Sequence, residues 1–232
     1  MGHVKENIGF AGGNNYGIRI ALREKSEYIV LINNDTVVEP DFLLKLLEVT
    51  NKKKDVGIVT GKILYYWEKQ YIYYAGGKFD FILGRSEHTN QNRLDGNKSH
   101  YISEESFATA CLWMIPCEIF KIVGFIDESY YLYYEDTDFC CRVIQAGFKI
   151  YYCNDSVIYH KVGRTTDTDP RKTYYIARNS SYIMEKYGML HFIMLPIKKL
   201  IYMIRGMKYR GKNNPWMEGY NDFRKGVKGK KK

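Results

Sequence analysis

The strongest constraint on the fold is a short, unbroken apolar run, Tyr28–Ile32, that ends abruptly in Asn33-Asn34-Asp35. Five such residues without polar alternation describe a strand covered on both faces, as in a parallel sheet flanked by helices. The next segments fit that architecture. Pro40-Asp41 opens a helix whose apolar stripe is Phe42, Leu43, Leu46, Leu47 and Val49, and residues 56–60 form a second short strand. Strand, helix and strand in this order predict an α/β sheet with crossover helices. At 232 residues the chain has room for one such domain, or a domain and a tail.

Before this run, residues 7–15 are rich in Gly and Asn and lead as a loop into a helix over 16–24. Residues 63–66, 71–75 and 78–83, divided by Gly76-Gly77, predict antiparallel β structure, and the polar stretch 85–103 a long mobile loop. A strand is expected over 107–115 and a short helix over 118–123, stopped by Gly124. Residues 136–146 form a helix with Phe139, Cys140, Val143 and Ile144 inward and Gly147 as its stop. Strands over 148–153 and 157–160 and a helix over 173–187 complete the pattern, and no internal repeat is visible. The domain is expected over 1–187, with a basic amphipathic helical extension over 188–232.

The net charge of +9 is concentrated in that extension: Lys198, Lys199, Arg205, Lys208, Arg210 and Lys212, then Lys225, Lys228, Lys230, Lys231 and Lys232. This suits an anionic membrane surface, a nucleic acid or an anionic lipid-linked substrate. A solvated, disordered tail is the plainer reading of the last eight residues. The most apolar stretch, 189–204, is broken by Pro196 and Lys198-Lys199 and falls short of the roughly 18 to 20 residues a membrane span needs. Five cysteines without metal spacing, two of them adjacent, read as reduced and buried, and hence as cytoplasmic. No signal peptide precedes them. The 22 tyrosines suit a sugar- or base-holding cleft, and more simply a half-buried sheet.

Several residues can carry chemistry. Asp35 should emerge at the C-terminal end of its strand, where ligands of open α/β sheets bind, and can hold Mg²⁺ or Mn²⁺. Asn34-Asp35 can equally form a turn. Glu135-Asp136 stands at a helix start among Tyr130, Tyr131, Tyr133 and Tyr134. Asp136 there is either a general base made more basic by aromatic burial or a helix N-cap. Asp138 and Arg142 read as a helix-surface ion pair. His160 can complete a metal site with Asp35 or be a hydrogen-bonded structural residue. Gly9, Gly12 and Gly13 ahead of a helix can bring amides to a diphosphate, although their spacing is neither G-x-G-x-x-G nor a P-loop. Arg178, sharing a helix face with Tyr174 and Asn179, can pair with phosphate or with a surface carboxylate.

The order of these segments is more specific than any one of them. N-x-G-F-A-G-G-N-N-x-G (7–17), L-I-N-N-D-T (31–36), G-F-I-D-E-x-Y-Y-x-Y-Y-E-D-T-D-F-C-x-R (124–142), residues 157–160 and Y-Y-I-A-R-N (174–179) closely resemble glycosyltransferase family 2, in its rhamnosyltransferase-like branch. The likeness covers about residues 7–187. It implies a GT-A-like (Rossmann-like) mixed sheet flanked by helices and N-terminally truncated, lacking the leading nucleotide-binding units. It also implies a nucleotide-diphospho-sugar donor, a surface-polysaccharide, glycan or lipid-linked acceptor, inverting displacement and a divalent cation, Mg or Mn. By the same likeness Asp35 is the last carboxylate of a D-x-D-type metal site, with Asn33 where the first acid stands, and His160 its companion. Asp136 is the general base beside Glu135, and Gly9, Gly12, Gly13, Asn14, Asn34, Asp35 and Arg178 bind the donor. Ala110 stands where the family usually has Gly. The protein is expected at the inner face of the cell membrane, peripherally bound, with no nucleic acid as partner. A catalytically impaired fragment that binds a membrane or a partner enzyme is the alternative.

Overall fold

In the computed structural model, which describes residues 6–96, 99–162, 169–209 and 214–231, the apolar runs assemble into a seven-stranded mixed sheet. Its main order is β1 (Tyr28–Ile32), β8 (Leu112–Pro116), β3 (Val56–Tyr65), β9 (Lys149–His160) and β2 (Thr36–Val38). β4 (Ile72–Tyr74) pairs with β3, and β7 (Ile102–Glu105) with β9. A separate hairpin joins β5 (Gly77–Asp80) to β6 (Arg85–His88). The helices are α1 (Gly9–Arg23), α2 (Phe42–Lys52), α3 (Cys117–Ile122), α4 (Glu135–Gln145), α5 (Pro170–Tyr187), α6 (His191–Gly206) and α7 (Pro215–Arg224).

The α/β architecture is the expected one, with local differences. β1 runs antiparallel to β8, and the parallel pair is β3 with β9. The apolar run of β1 arises because Ile29 and Leu31 are buried while Tyr28 and Val30, on the other face, also pack against the core. The two short strands expected at 56–60 and 63–66 are one long β3, and 148–153 and 157–160 one long β9. Each pair is continuous through a register shift at Gly61/Lys62, facing residues 153–157 of β9. A Cβ on Gly61 would stand 2.3 Å from the Ser156 carbonyl oxygen, so glycine is what lets the strands close over this bulge. The stretch 85–103 is not simply a loop. It holds β6 and the start of β7, whose alternating exposure is carried by polar side chains.

The core lies between the sheet and its helices. Trp113 on β8 stacks on Phe139 of α4 at 5.5 Å, and Phe120 of α3 meets the same ring at 5.6 Å. Leu46 and Val49 of α2 and Ile18 of α1 are buried in the same cluster. A second cluster joins α5, α6 and α7 through Ala177, Met184, Leu195, Tyr202, Tyr220 and Phe223. Residues 225–231 therefore do not form the solvated tail that charge alone suggests. The Gly229 amide donates to the Ser129 carbonyl at 2.6 Å, the Lys231 amide to the Tyr175 hydroxyl at 2.8 Å, and the Tyr182 hydroxyl to the Val227 carbonyl at 3.1 Å. The five cysteines are free and buried, and among the described residues no helix is long and apolar enough to cross a membrane.

Gly61→Ala should lower unfolding stability by about 1–3 kcal/mol, the range of overpacking in a closed core, because the obstructing atom is backbone. Urea denaturation checks this; an unchanged midpoint would show that the bulge opens without cost.

Candidate active site

The first of two motifs forms where the chain leaves β1 and β2 meets the end of β9. β2 pairs antiparallel with β9 so that Thr36 faces His160. That register brings Asp35 Oδ1 to 3.1 Å from His160 Nε2, with the Asn33 amide nitrogen 3.4 Å from the same ring atom. Asn33-Asn34-Asp35 also forms a turn, closed by the Thr36 hydroxyl donating to the Asn33 carbonyl at 2.7 Å, so the turn and the acid–imidazole contact coexist. Asn34 is exposed there. His160 is buried, and its pKa is lowered by burial against the opposing pull of Asp35. The imidazole is therefore neutral at pH 7, the form that ligates metal. Its Nδ1 has no partner.

The second motif is the first turn of α4. Glu135 is buried, and its Oε2 has no hydrogen-bond partner. Burial first, then the charge of Asp136, raises its pKa well above the ordinary carboxylate range. Asp136 is also raised by burial, to a lesser extent, because the amides of Thr137 and Ala110 and the Thr137 hydroxyl bond its carboxylate. The two carboxyls titrate as one pair with both pKa values raised by burial, so this turn can take up a proton nearer neutral pH than ordinary carboxylates do. Asp138, one turn on, is the opposite case. Burial opposes its charge, but Arg142 at 2.8 Å and Lys186 at 2.7 Å more than offset this and lower its pKa. This pair is an internal hub rather than a surface bridge, since Asp138 also accepts from the Tyr187 hydroxyl at 2.8 Å.

Two short connections join the motifs. The Ala110 amide bonds Asp136, and the adjacent Cys111 carbonyl accepts from the Asn33 amide at 3.1 Å. Tyr73 on β4 packs its ring edge-on to His160 with centroids 5.0 Å apart. Its hydroxyl pKa is raised by burial, then by Cys111 and Asp136. Tyr73 is not among the expected site residues. It is one of 22 tyrosines, and only the β3–β4 pairing brings it to the site.

Arg178 and the glycine run stand differently from the expectation. Arg178 is fully buried and donates to the Asn179 side chain at 2.9 Å, the Gly229 carbonyl at 2.7 Å and the Tyr130 carbonyl at 3.0 Å. It has no face left for a donor phosphate; its role is to fix the loop before α4. Gly9, Gly12 and Gly13 are not a loop but the first turns of α1. The Gly9 amide is taken by Asn7 Oδ1 at 3.0 Å and the Phe10 amide by the Tyr131 carbonyl at 2.9 Å, which closes the expected diphosphate cradle at its mouth. Gly9 itself has φ +82° and sits where a Cβ would meet the Tyr131 carbonyl at 2.4 Å. The Asn14 side chain bonds the Phe10 carbonyl at 2.9 Å, within the helix.

A mixed sheet flanked by helices is the GT-A-like architecture. A solved structure of GalNAc-T7 with UDP, GalNAc and Mn²⁺ shares the fold, with a TM-score of 0.53 and 13% identity over 82% of this chain and 41% of that one. Residues 28–209 match the profile of glycosyl transferase family group 2, and the chain belongs to that family. It is similar to the dTDP-rhamnosyl transferase RfbF of Shigella flexneri, 23% identical over 85% of this chain and 66% of the relative. It is also similar to the low-salt glycan biosynthesis hexosyltransferase Agl10 of Haloferax volcanii, 24% identical over 75% of this chain and 56% of the relative. A third relative is the rhamnosyltransferase WbbL of Escherichia coli, 23% identical over 62% of this chain and 57% of that one. The chain thus spans roughly three fifths of the length of these relatives.

The carboxylate pair gives a prediction about stability. A buried acid with a raised pKa binds its proton more tightly folded than unfolded, so it costs stability as pH rises from the unfolded value, about 3.9 for Asp, through the folded one. Asp136→Asn should remove its share of that slope and give a higher Tm than the parent at pH 7.5, with the gap closing near pH 4. Melting curves across this range check it; parallel profiles would show that Asp136 titrates normally.

Proposed function

We propose that this chain carries the catalytic part of an inverting glycosyltransferase that moves a sugar from a nucleotide-diphosphate donor to a glycan or lipid-linked acceptor. The observation that carries the reading is the half-buried Asp136, bonded by the Ala110 amide next to the Cys111 carbonyl that receives the backbone of Asn33. In this reading Asp136 takes the proton of the acceptor hydroxyl as that oxygen bonds to the anomeric carbon. The bond from that carbon to the diphosphate breaks, and the diphosphate leaves with the electron pair. Glu135, protonated, keeps a second negative charge away from the incoming nucleophile.

Among the described residues no group of three or more His, Cys, Asp or Glu converges on one point. Asp35 and the neutral His160, whose Oδ1 and Nε2 lie 3.1 Å apart, would be the residues to hold a divalent ion. Bound there, it would supply charge stabilisation to the departing diphosphate. Asp136→Asn should reduce transfer or donor hydrolysis by about 10²–10⁴-fold while the protein stays folded, the usual weight of a general base. Asp35→Asn should instead shift the Mn²⁺ concentration dependence to higher values. A folded sample with no turnover in either form would favour the second reading, a non-catalytic protein that binds a membrane or a partner.

A membrane surface is part of the proposal. One side of α6 exposes Phe192, Ile193, Leu200, Met203 and Ile204 without a polar interruption, with Lys199 and Lys208 at its margins. That is the composition of a helix lying in the interface of an anionic bilayer. Because residues 225–231 brace the loop before α4, truncation after Tyr187 would damage the fold, and point variants are the cleaner test. Leu200→Glu with Met203→Glu should abolish flotation with anionic liposomes, since each apolar side chain removed from the interface forfeits about 1.5–3 kcal/mol. Unchanged flotation would exclude α6 as the contact.

A further inference from the structure

Behind the exposed face of α6 lies a groove of about 260 Å³ between α5, α6 and the β5–β6 hairpin. Its walls are apolar, with Met184 from α5, Ile197 and Ile201 from α6, and Leu83 from the hairpin turn. Three cations, Arg85, Lys198 and Arg205, line the same groove, and Arg85 is paired with Glu87 at 2.9 Å. Neither Lys198 nor Arg205 makes an ion pair among the described residues. Each rests on a ring instead, Lys198 over Tyr202 at 5.8 Å and Arg205 over Trp216 at 5.1 Å. Burial, and then the neighbouring Arg205, pushes the Lys198 pKa down to about 7. Lys198, half-buried, and Arg205, exposed at the edge of the groove, thus stand two turns apart on α6 with neither charge ion-paired among the described residues, so an anionic ligand can supply their counter-charge.

The groove also has direction. Its outer rim is α6, whose other side is the apolar face that suits a bilayer. Its inner lining includes Tyr134, the residue immediately before Glu135 and Asp136, and Ser180, whose hydroxyl lies 3.0 Å from that of Tyr202.

We propose that this groove binds one molecule of a long-chain lipid phosphate or diphosphate, with the chain along Met184, Ile197 and Ile201 and the phosphate between Lys198 and Arg205. Charge complementarity selects the head and the apolar walls select the tail; neither half alone accounts for the lining. Lipid binding stands on the groove itself. That the bound lipid is the carrier of the acceptor, presented toward Asp136, rests on the glycosyl-transfer reading.

The test uses the whole chain and soluble probes, with no donor present. Farnesyl diphosphate, inorganic diphosphate and farnesol are titrated by calorimetry and by the fluorescence of Trp216, which lines the groove. Farnesyl diphosphate should bind at least about tenfold more tightly than either half-probe. Lys198→Met with Arg205→Met should weaken it by about tenfold or more while leaving the melting temperature equal or higher, because an uncompensated charge is removed. Lys199→Ala, exposed outside the groove, should leave it unchanged. Equal affinity for inorganic diphosphate would show a free-anion site, and liposome flotation without farnesyl diphosphate binding would show a surface contact only. Either result overturns the proposal, as does full binding by the double variant. Retained lipid binding in a protein that shows no transfer would sink the catalytic reading and leave the groove assignment standing.

Discussion

The structure depends on a grip by two adjacent side chains of α5 on the backbone of the loop before α4. Asn179 donates to the carbonyls of Tyr130, Leu132 and Tyr133 at 2.8–2.9 Å, and Arg178 adds a further bond to the first of these. Within that loop Tyr131, Tyr133 and Tyr134 all have positive φ, at 64°, 66° and 71°. Left-handed backbone at a bulky residue costs on the order of 1–3 kcal/mol each and persists only where the surroundings over-determine it. Here the surroundings are the amide and guanidinium donors. The strain is spent on turning the chain so that α4 begins with its carboxylates under cover rather than in water.

Once α4 is so placed, three acids within four residues acquire three different characters. Glu135 has burial and no partner for one oxygen, so its pKa is raised. Asp136 is raised by burial too, but backbone donors to its carboxylate oppose the shift. Asp138 has burial and two cations, so it is a permanent anion that ties α4 to α5 through Lys186 and Tyr187. Arg142 extends the same network to the carbonyls of Val123 and Phe125. Nothing in the residue types separates these roles; the partners do.

That distinction marks how much of the molecule is legible in the sequence. Continuous apolar runs and glycine stops announce the sheet, its helices and the starts of the two motifs, because those signals are local. Asp35, His160 and Asp136 stand out for the same reason, each at the edge of a regular element. Arg178 is misread because its acceptors lie 48 and 51 residues away, and a lone Arg on a helix face looks alike whether it meets phosphate or carbonyl. β6 and β7 are missed because Arg85, Glu87, Ser103 and Glu104 give a strand no apolar period; their pairing comes from neighbours. The glycine run misleads in the opposite direction. Gly-rich sequence favours loops, yet the first turns of α1 are helical because Asn7 and Tyr131 supply acceptors for its opening amides.

The Gly229 carbonyl that receives Arg178 has a consequence for the order of assembly. The carboxylate-bearing turn of α4 is made after eight of the nine strands, and β9, which completes the sheet, follows directly. The shell around Arg178 closes only when a segment synthesised about fifty residues after it arrives and seats its amide on Ser129. Until then the guanidinium lacks one acceptor, and the left-handed tyrosines lack part of what holds them. Translation thus sets the loop before α4 only after α5, which grips it, and all nine strands have been made.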